Sequence, residues 1–282
     1  MKNLRTDDAR FEGGVREAAV AGMFYPEDPK ELAGTIERMM HEAAPQGGER
    51  IRGIIAPHAG YMYSGPTAAR AYGLLAGATY ETVAVVAPSH REFFEGVSVF
   101  DGTAYRTPLG IVPINVRLRE DLIAHCACVH ASRAGHREEH AVEVQLPFLQ
   151  KALGEFTLLP LVIGHQTPET CFELGRGLAQ VLGDRNALLV ASTDLSHFYP
   201  DQAARSIDAV TIGDVRRFDG DGLMSHLTDG AAEACGGGPT VAVMTALKIL
   251  GAAHMDVVGY ATSGDITGDR TNVVGYLGAV AI

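Results

Sequence analysis

The chain has 282 residues, 46% of them apolar, and a formal net charge of −11 at pH 7. This length and apolar content suffice for one large α/β domain or two small ones, while the negative charge and the lack of a Lys/Arg run argue against nucleic acid or an anionic membrane as a partner. The opening residues, MKNLRTDDARFEGG, lack the apolar core of a signal peptide, and no apolar run reaches the roughly 18 residues that span a bilayer. We therefore predict a cytoplasmic protein that binds neither nucleic acid nor membrane.

The predicted elements alternate between strands and helices along the chain. Residues 1–14 are polar and are predicted to form a loose arm, so that a single domain spans 15–282. Asp28 and Pro29 supply a cap and a first-turn proline for a helix that ends near His41. Further helices are predicted at 67–75, 139–153, 168–182, 201–218, 223–227 and 240–250, and apolar strands at 54–56, 83–87, 157–163, 187–191, 257–262 and 273–282. The alternation favours one α/β domain with a mixed sheet and no linker.

Three segments carry features beyond the simple alternation of strands and helices. Ser64 and Pro66 are positioned to cap and open the helix predicted at 67–75. Pro147 should kink the helix predicted at 139–153 or mark its start. Between residues 97 and 115 the apolar period changes to two around an Asp-Gly turn, which predicts an antiparallel segment.

Two of the predicted strands are followed by a histidine. The apolar run Ile54–Ala56 leads through Pro57 to His58, and the run at 83–87 leads through Pro-Ser to His90. Open α/β sheets place their chemistry at the carboxyl ends of strands. Two strands are therefore predicted to deliver one histidine each to the same rim.

Polar residues also follow the strand predicted at 187–191, in the cluster STDLSH that contains Asp194 and His197. Cys235 precedes a Gly-Gly-Gly-Pro turn and the helix predicted at 240–250. A helix amino terminus favours thiolate, so we expect a lowered pKa for this thiol.

The four cysteines are too few and too irregularly spaced for a disulfide framework or a zinc ribbon. They stand at Cys126, Cys128, Cys171 and Cys235. Cys171 shares an apolar stripe of the helix predicted at 168–182, which predicts a place in the core.

The candidate chemistry lies with His58, His90 and Cys235, because imidazole and thiolate together suit iron, copper or zinc. Three protein ligands with open positions are typical of a catalytic site. The alternatives are structural: both histidines as hydrogen-bonded turn residues, and the cysteine as a small residue packed in a glycine turn. Asp194 and His197 form either a local helix cap or a pair in which the carboxylate orients the imidazole.

Seven stretches between Arg16 and the carboxyl terminus carry a family resemblance. They are REAAVAGMFYP, PHAGYMYSGP, APSHREFFEGV, EEHAVEVQLPFL, STDLSHF, the CGGGP turn and the closing SGD…VVGYLGAVAI. Together they resemble the Memo family, named AmmeMemoRadiSam system protein B in prokaryotes, and through it the class III extradiol ring-cleaving dioxygenases of LigB type.

The resemblance implies a single three-layer αβα domain with a mixed, largely parallel central sheet, the LigB-like dioxygenase fold. His58, His90 and Cys235 match the metal positions of Memo proteins. His197 matches the acid/base histidine of the dioxygenases, with Asp194 beside it, and both are therefore candidate catalytic residues.

Two further residues in the matching motifs, Tyr63 and His140, are candidate substrate-binding residues. The chain also departs from the dioxygenase pattern, because Cys235 stands where the ring-cleaving enzymes complete a two-histidine triad with glutamate. Thiolate donates more charge and is itself oxidisable, so catechol cleavage does not carry over with the fold.

Three functions stay open at this point. The first is a dioxygenase-like redox enzyme using iron(II) or copper, in which zinc is a further possible occupant. The second is a scaffold of the same fold that binds a metal, a peptide or a small molecule without turnover. The third is a zinc hydrolase with His197 as base. The family name also implies radical-SAM and AMMECR-type proteins as pathway partners.

Overall fold

The computed structural model describes residues 14–43 and 50–282. The arm predicted at 1–14 therefore lies outside the described residues, apart from Gly14. The helices are α1 Pro29–Ala43, α2 Tyr61–Tyr72, α3 Val116–His125, α4 Gln145–Leu153, α5 Pro168–Leu182, α6 Asp201–Arg217, α7 Gly220–Thr228, α8 Gly237–Ile249 and α9 Ser263–Thr267. The strands are β1 Val15–Arg16, β2 Gly53–Ala56, β3 Thr82–Pro88, β4 Val97–Phe100, β5 Ala104–Thr107, β6 Gly110–Pro113, β7 Val129–Ser132, β8 Thr157–Ile163, β9 Ala187–Ser192, β10 Asp194–Tyr199, β11 Met255–Thr262 and β12 Val273–Ala281.

Within the described residues, nine strands form one mixed sheet in the order β10-β12-β2-β9-β3-β8-β4-β7, with β11 pairing on β12 as well. The four middle strands, β2, β9, β3 and β8, run parallel to one another. At one end β12 runs antiparallel to β2, β10 and β11, and at the other end β4 runs antiparallel to β8 and parallel to β7. Parallel middle strands bring the loops that follow β2, β3, β8 and β9 to a single edge.

Helices cover both faces of this sheet. In β3, Val83 and Val85 pack into a core that also contains residues of α1, α2 and α4. The alternate residues Ala84 and Val86 pack into a second core with residues of α3, α5 and α8. Both faces are buried, which is why the middle strands are continuous apolar runs in the sequence. The predicted three-layer αβα class with a mixed sheet is confirmed.

The start of α2 differs from the sequence prediction. The helix begins at Tyr61, so Pro66 lies inside it and Ser64 does not cap it. One tertiary contact and one local hydrogen bond hold the first turn. The hydroxyl of Tyr61 donates to the carbonyl of Val144 (2.7 Å), and that of Ser64 donates to the carbonyl of Ala59 (2.9 Å). These bonds fix the start of α2, although Pro66 cannot donate a helical hydrogen bond.

The antiparallel segment predicted between 97 and 115 divides between two sheets. β4 joins the main sheet, whereas β5 and β6 pair with each other and β5 also pairs with β1, forming a small separate sheet. Pro147 falls in the first turn of α4, which starts at Gln145 and not at 139. None of the described helices combines the length and the hydropathy needed to cross a bilayer.

A buried ion pair ties the first strand to the segment before α4. The guanidinium of Arg16 in β1 donates to the carboxylate of Glu143, and both side chains are fully buried. The same arginine donates to the carbonyls of His136 (2.8 Å) and Glu139 (2.5 Å). Removing one partner of such a pair leaves a buried charge, which costs about 3–5 kcal/mol. The pair therefore fixes the backbone that carries Glu139 and His140.

Candidate metal centre

Three neighbouring strands of the main sheet end at the edge where the candidate residues lie. β2 ends at Ala56, two residues before His58, and β3 ends at Pro88, two residues before His90. β9 lies between these two strands, with Ser192 opposite Ala56, and leads directly into Asp194. The strand order thus explains how residues far apart in sequence meet.

The structure brings His58, His90 and Cys235 together. One donor atom from each residue lies within 4.8 Å of the other two, a separation at which the three could hold a metal ion. Nε2 of His58 is 3.2 Å from Sγ of Cys235, and the two imidazole rings are 5.0 Å apart at 78°. These are the three residues that the sequence motifs placed at a metal.

The hydrogen bond at Nδ1 of His58 leaves the lone pair of Nε2 to face Cys235 and a potential metal ion. Its Nδ1 is 2.9 Å from the hydroxyl of Ser192, which donates to the carbonyl of Ala141 (2.7 Å) and accepts from the amide of Gln145 (2.8 Å). A hydroxyl has one proton to donate, so Ser192 accepts from His58 and the proton of this imidazole is on Nδ1. Nε2 then presents its lone pair toward Cys235.

His90 is held in the same way by a carboxylate. Its Nδ1 is 2.9 Å from Oε1 of Glu139, and its backbone N–H donates to Oε2 at 2.5 Å. Burial acts to raise the pKa of Glu139, but the hydrogen bonds and charges of His90 and His140 lower it to about 2. The ionised carboxylate therefore accepts from Nδ1, and Nε2 of His90 is also available as a ligand atom.

Cys235 lies in a tightly packed turn just before α8. A Cβ on Gly236 would lie 2.1 Å from the carbonyl oxygen of Ser192, so this position accepts only glycine without a backbone shift. The N–H of Gly236 donates to Oγ1 of Thr193 (2.9 Å). The amide of Gln166 donates to the carbonyl of Cys235 (2.8 Å) and its oxygen accepts from Gly238 (2.8 Å). These contacts fix the position of the thiol.

The expected lowering of the pKa of Cys235 is wrong for the metal-free protein. Although the residue keeps some solvent exposure, the groups packed around its sulfur and the charge of Asp194 raise the pKa of the thiol well above its usual range. Burial therefore outweighs the dipole of α8. A cation bound at this position would oppose both effects.

Two histidines of this cluster, His58 and His140, are held neutral. Burial, and then the neighbouring His90, lower the pKa of His58 to about 3. Burial, and then His58, lower the pKa of His140 to about 4. Metal ligation requires neutral imidazole, so the environment already provides the form that binds.

A second set of donors, His90, Glu139 and His140, also lies close enough to hold an ion. Glu139 is poorly suited to ligation, because its carboxylate also accepts from the N–H groups of His140 (2.9 Å) and Ala141 (3.0 Å). Its lone pairs are committed to orienting the loop. Nδ1 of His140 is buried without a hydrogen bond, and its ring stacks on His90 at 5.0 Å. His140 therefore lies beside the three donors.

A cavity of about 620 Å³ opens over these residues. His197 and Tyr63 line it together with the exposed Phe198. In a regular strand His197 and Phe198 would face opposite sides, but β10 is irregular on both sides of His197, and Phe198 has a left-handed φ of 65°. Such bulges redirect side chains, which accounts for two adjacent residues reaching one cavity.

Asp194 lines the same cavity, but it contacts a different residue from the one that the spacing suggested. Its carboxylate accepts from the backbone N–H groups of His58 (2.8 Å) and Ala59. Burial raises its pKa, and these hydrogen bonds oppose that rise. The carboxylate in direct contact with His197 is instead Glu233, whose Oε1 accepts from the backbone N–H of His197 at 3.0 Å and lies 3.9 Å from its Nδ1.

The sequence that forms this site matches a known protein family. A family model described as Memo-like protein matches residues 16–280. The chain belongs to the Memo-like family. The resemblance of the sequence motifs to the Memo family is thereby confirmed.

Relatives match this Memo-like chain over nearly its full length. A MEMO1 family protein of Methanothermobacter thermautotrophicus is 38% identical over 272 residues, covering 93% of this chain and 98% of that protein. A MEMO1 family protein of Methanopyrus kandleri is 38% identical over 277 residues, covering 94% and 98%, and one of Aquifex aeolicus is 38% identical over 267 residues, covering 94% and 98%. A solved structure of an uncharacterized protein of Escherichia coli K12 is similar with a TM-score of 0.53 at 18% identity, covering 81% of this chain and 99% of that one, which shows a shared fold.

Four residues that support the candidate metal centre were missed by the sequence analysis. They are Glu139, Ser192, Gln166 and Glu233, and each acts through hydrogen bonds to a loop distant in sequence. A signal existed for Glu139, which is the acid directly before His140. Ser192 opens the polar cluster at the end of β9. The sequence gives no comparable sign for Gln166 and Glu233.

Proposed function

We propose that this Memo-like protein is a metal-dependent redox protein that holds iron(II) or copper through His58, His90 and Cys235. The observation that carries the proposal is the orientation of the three donor atoms by hydrogen bonds to neighbouring residues. Both imidazoles engage Nδ1 in a hydrogen bond and so leave Nε2 for the ion, and Sγ of Cys235 lies 3.2 Å from one of them. Histidine and thiolate ligands suit both metals.

The donor set leaves room for a further ligand on the cavity side. When bound, iron or copper would supply one-electron chemistry, which the side chains alone do not provide. Hydrogen bonds from Ser192, Glu139 and Gln166 hold the three ligand residues at the ends of β2 and β3 and in the turn before α8. The cavity of about 620 Å³ is large enough for a small molecule or the end of a peptide.

The residues that line the cavity are the candidates for handling this substrate. We propose His197 as the group that transfers a proton, because it lines the cavity and its side chain is 29% exposed, unlike the buried His58. Glu233 would orient it. Asp194 would hold the backbone of His58 in place, and Tyr63 and His140 would contact the substrate.

Two other functions use the same geometry. Histidine and cysteine ligands also suit zinc, in which case His197 would act as the base of a hydrolase. A scaffold without turnover would use the cavity, rimmed by the exposed Met23 and Phe198, to bind a peptide or small molecule. A cytoplasmic setting and a pathway shared with radical-SAM and AMMECR-type proteins belong to the same proposal.

Voltammetry of the anaerobically purified protein, loaded with one equivalent of iron(II) or copper, tests the redox assignment. We expect a reversible one-electron wave in the wild type that disappears or shifts strongly in Cys235→Ser, because the thiolate is the ligand that sets the electron density at the ion. Cys171→Ser is the matched control, since Cys171 is a buried cysteine of α5 outside the donor set. Tight binding of zinc with no wave for iron or copper would contradict the redox function and favour the hydrolase.

A further inference from the structure

A third group of side chains that could hold a metal ion lies at the turn between α3 and β7. Sγ of Cys126 and Sγ of Cys128 are 3.2 Å apart. The carboxylate of Glu173, on α5, completes a set of three donors that all lie within 4.8 Å of one another. Its Oε1 is 4.0 Å from Sγ of Cys126. Residues 126 and 128 are brought to Glu173 by the fold and not by local sequence.

The turn that carries the two cysteines is held in place by its backbone. The N–H of Cys126 donates to the last turn of α3, at Leu122 (2.9 Å), and its carbonyl accepts from Val129 (3.0 Å) at the start of β7. The N–H of Cys128 donates to Oε1 of Glu173 at 3.0 Å. The backbone of the cysteine turn is therefore positioned from both sides, by α3 and β7 and by Glu173 of α5.

A glycine of α5 makes the close approach possible. A Cβ on Gly177 would lie 2.8 Å from Cβ of Cys126 and 3.0 Å from its Sγ. Glycine inside a helix costs about 1 kcal/mol relative to alanine. At this position the cost is offset because only glycine lets the thiol lie directly on the helix, one turn after Glu173.

This cysteine pair is separate from the candidate metal centre. In the sheet, β8 and β4 lie between β3, which leads to His90, and β7, which follows the pair. Cys126 is buried, whereas Cys128 and Glu173 are partly exposed, so an ion can reach the three donors from solvent.

We propose that Cys126, Cys128 and Glu173 form a second binding site, for a zinc ion, independent of the function proposed above. Two thiolates and a carboxylate supply the ligand types that zinc accepts, whereas magnesium and calcium require oxygen ligands and copper(I) prefers sulfur alone. At Zn–S distances near 2.3 Å, two sulfurs of a tetrahedral ion lie about 3.8 Å apart. The pair therefore needs to open by only about 0.6 Å. The fourth position faces solvent and is filled by water.

The stoichiometry of zinc binding tests this site in the full chain. Equilibrium dialysis against zinc chloride, read by elemental analysis, should give Cys126→Ser/Cys128→Ser one zinc fewer per chain than wild type. Cys235→Ser should retain the ion at the cysteine pair, and Cys171→Ser, the matched control, should equal wild type. Glu173→Gln should bind this ion at least about tenfold more weakly. Equal zinc content in the double variant and the wild type would overturn the proposal.

Alkylation of the wild-type protein keeps the proposal testable if the double variant does not fold. Trypsin releases Cys126 and Cys128 together in the peptide that follows Arg119 and ends at Arg133. We expect iodoacetamide to modify this peptide in zinc-free protein and zinc to protect both thiols. Modification that zinc does not slow would contradict the site, and so would a peptide that becomes reactive only after reduction, because the pair would then be a disulfide couple.

Discussion

Replacing Glu139 with glutamine should weaken metal binding without removing a ligand. The carboxylate accepts from Nδ1 of His90 and from three backbone N–H groups, those of His90, His140 and Ala141. An amide of the same shape offers one acceptor oxygen, and its NH₂ group must then face an N–H donor. The change therefore leaves at least one buried N–H unpaired, which costs about 1–3 kcal/mol, and halves the strength of the charge-assisted bond to the imidazole.

These losses act on the orientation of His90, so they should appear in the affinity for the ion. Loss of such an orienting partner typically lowers metal affinity about 10- to 100-fold, which equals roughly 1.4–2.8 kcal/mol. The assay is anaerobic titration with iron(II) or copper in competition with a chelator of known affinity. Glu138→Gln, the same substitution at the exposed neighbour, is the matched control and should bind as wild type does. If Glu139→Gln binds within twofold of that control, Glu139 does not orient a metal ligand.

Three further substitutions test the surrounding structure. Gly236→Ala should lower the free energy of unfolding, measured by chemical denaturation, by at least about 1–3 kcal/mol, because its Cβ would meet a backbone oxygen. The control Gly34→Ala in α1 meets only the end of Arg38 and should be neutral or stabilising. Gln166→Leu removes the two hydrogen bonds that Gln166 makes to the Cys235 turn and should speed loss of the ion to a chelator. An unchanged rate would show that the turn is fixed without Gln166. Burial lowers the pKa of His136 to about 3, so between pH 6.5 and 3 the unfolded chain binds a proton that the folded chain does not. As the pH is lowered through this window, the free energy of unfolding of the metal-free wild type should therefore decrease by up to about 1.4 kcal/mol per pH unit more than that of His136→Gln. Parallel pH profiles of the two proteins would refute this.

The middle of the sheet was predictable because its strands are buried on both faces. Runs such as Thr157–Ile163 are continuous apolar stretches, and β8 has the bounds that the sequence predicts. The strand-to-histidine placement also predicted that His58 and His90 would share an edge, since parallel strands bring their carboxyl ends together. β10 was not predicted, because its residues are the polar cluster around Asp194 and His197 and its pairing with β12 is irregular.

Two features of the site depend on tertiary packing and leave no local pattern. Glu139 orients His90 from 49 residues away, through a loop fixed by the buried pair of Arg16 and Glu143. The direction of the pKa shift of Cys235 is set by the burial of its thiol and not by the dipole of α8. The glycines beside it in the sequence do not reveal how densely the thiol is packed. The sequence motifs thus identified the three candidate donors, while the partners that orient them required the structure.

The metal content of anaerobically purified protein tests the central claim most directly. Elemental analysis should find iron or copper in the wild type, a loss of that ion in Cys235→Ser, and near wild-type content in His197→Ala, because the first substitution removes a ligand and the second removes only a side chain of the cavity. Equal loss of iron or copper from both variants would make His197 a ligand, and full retention by Cys235→Ser would contradict the three-donor centre.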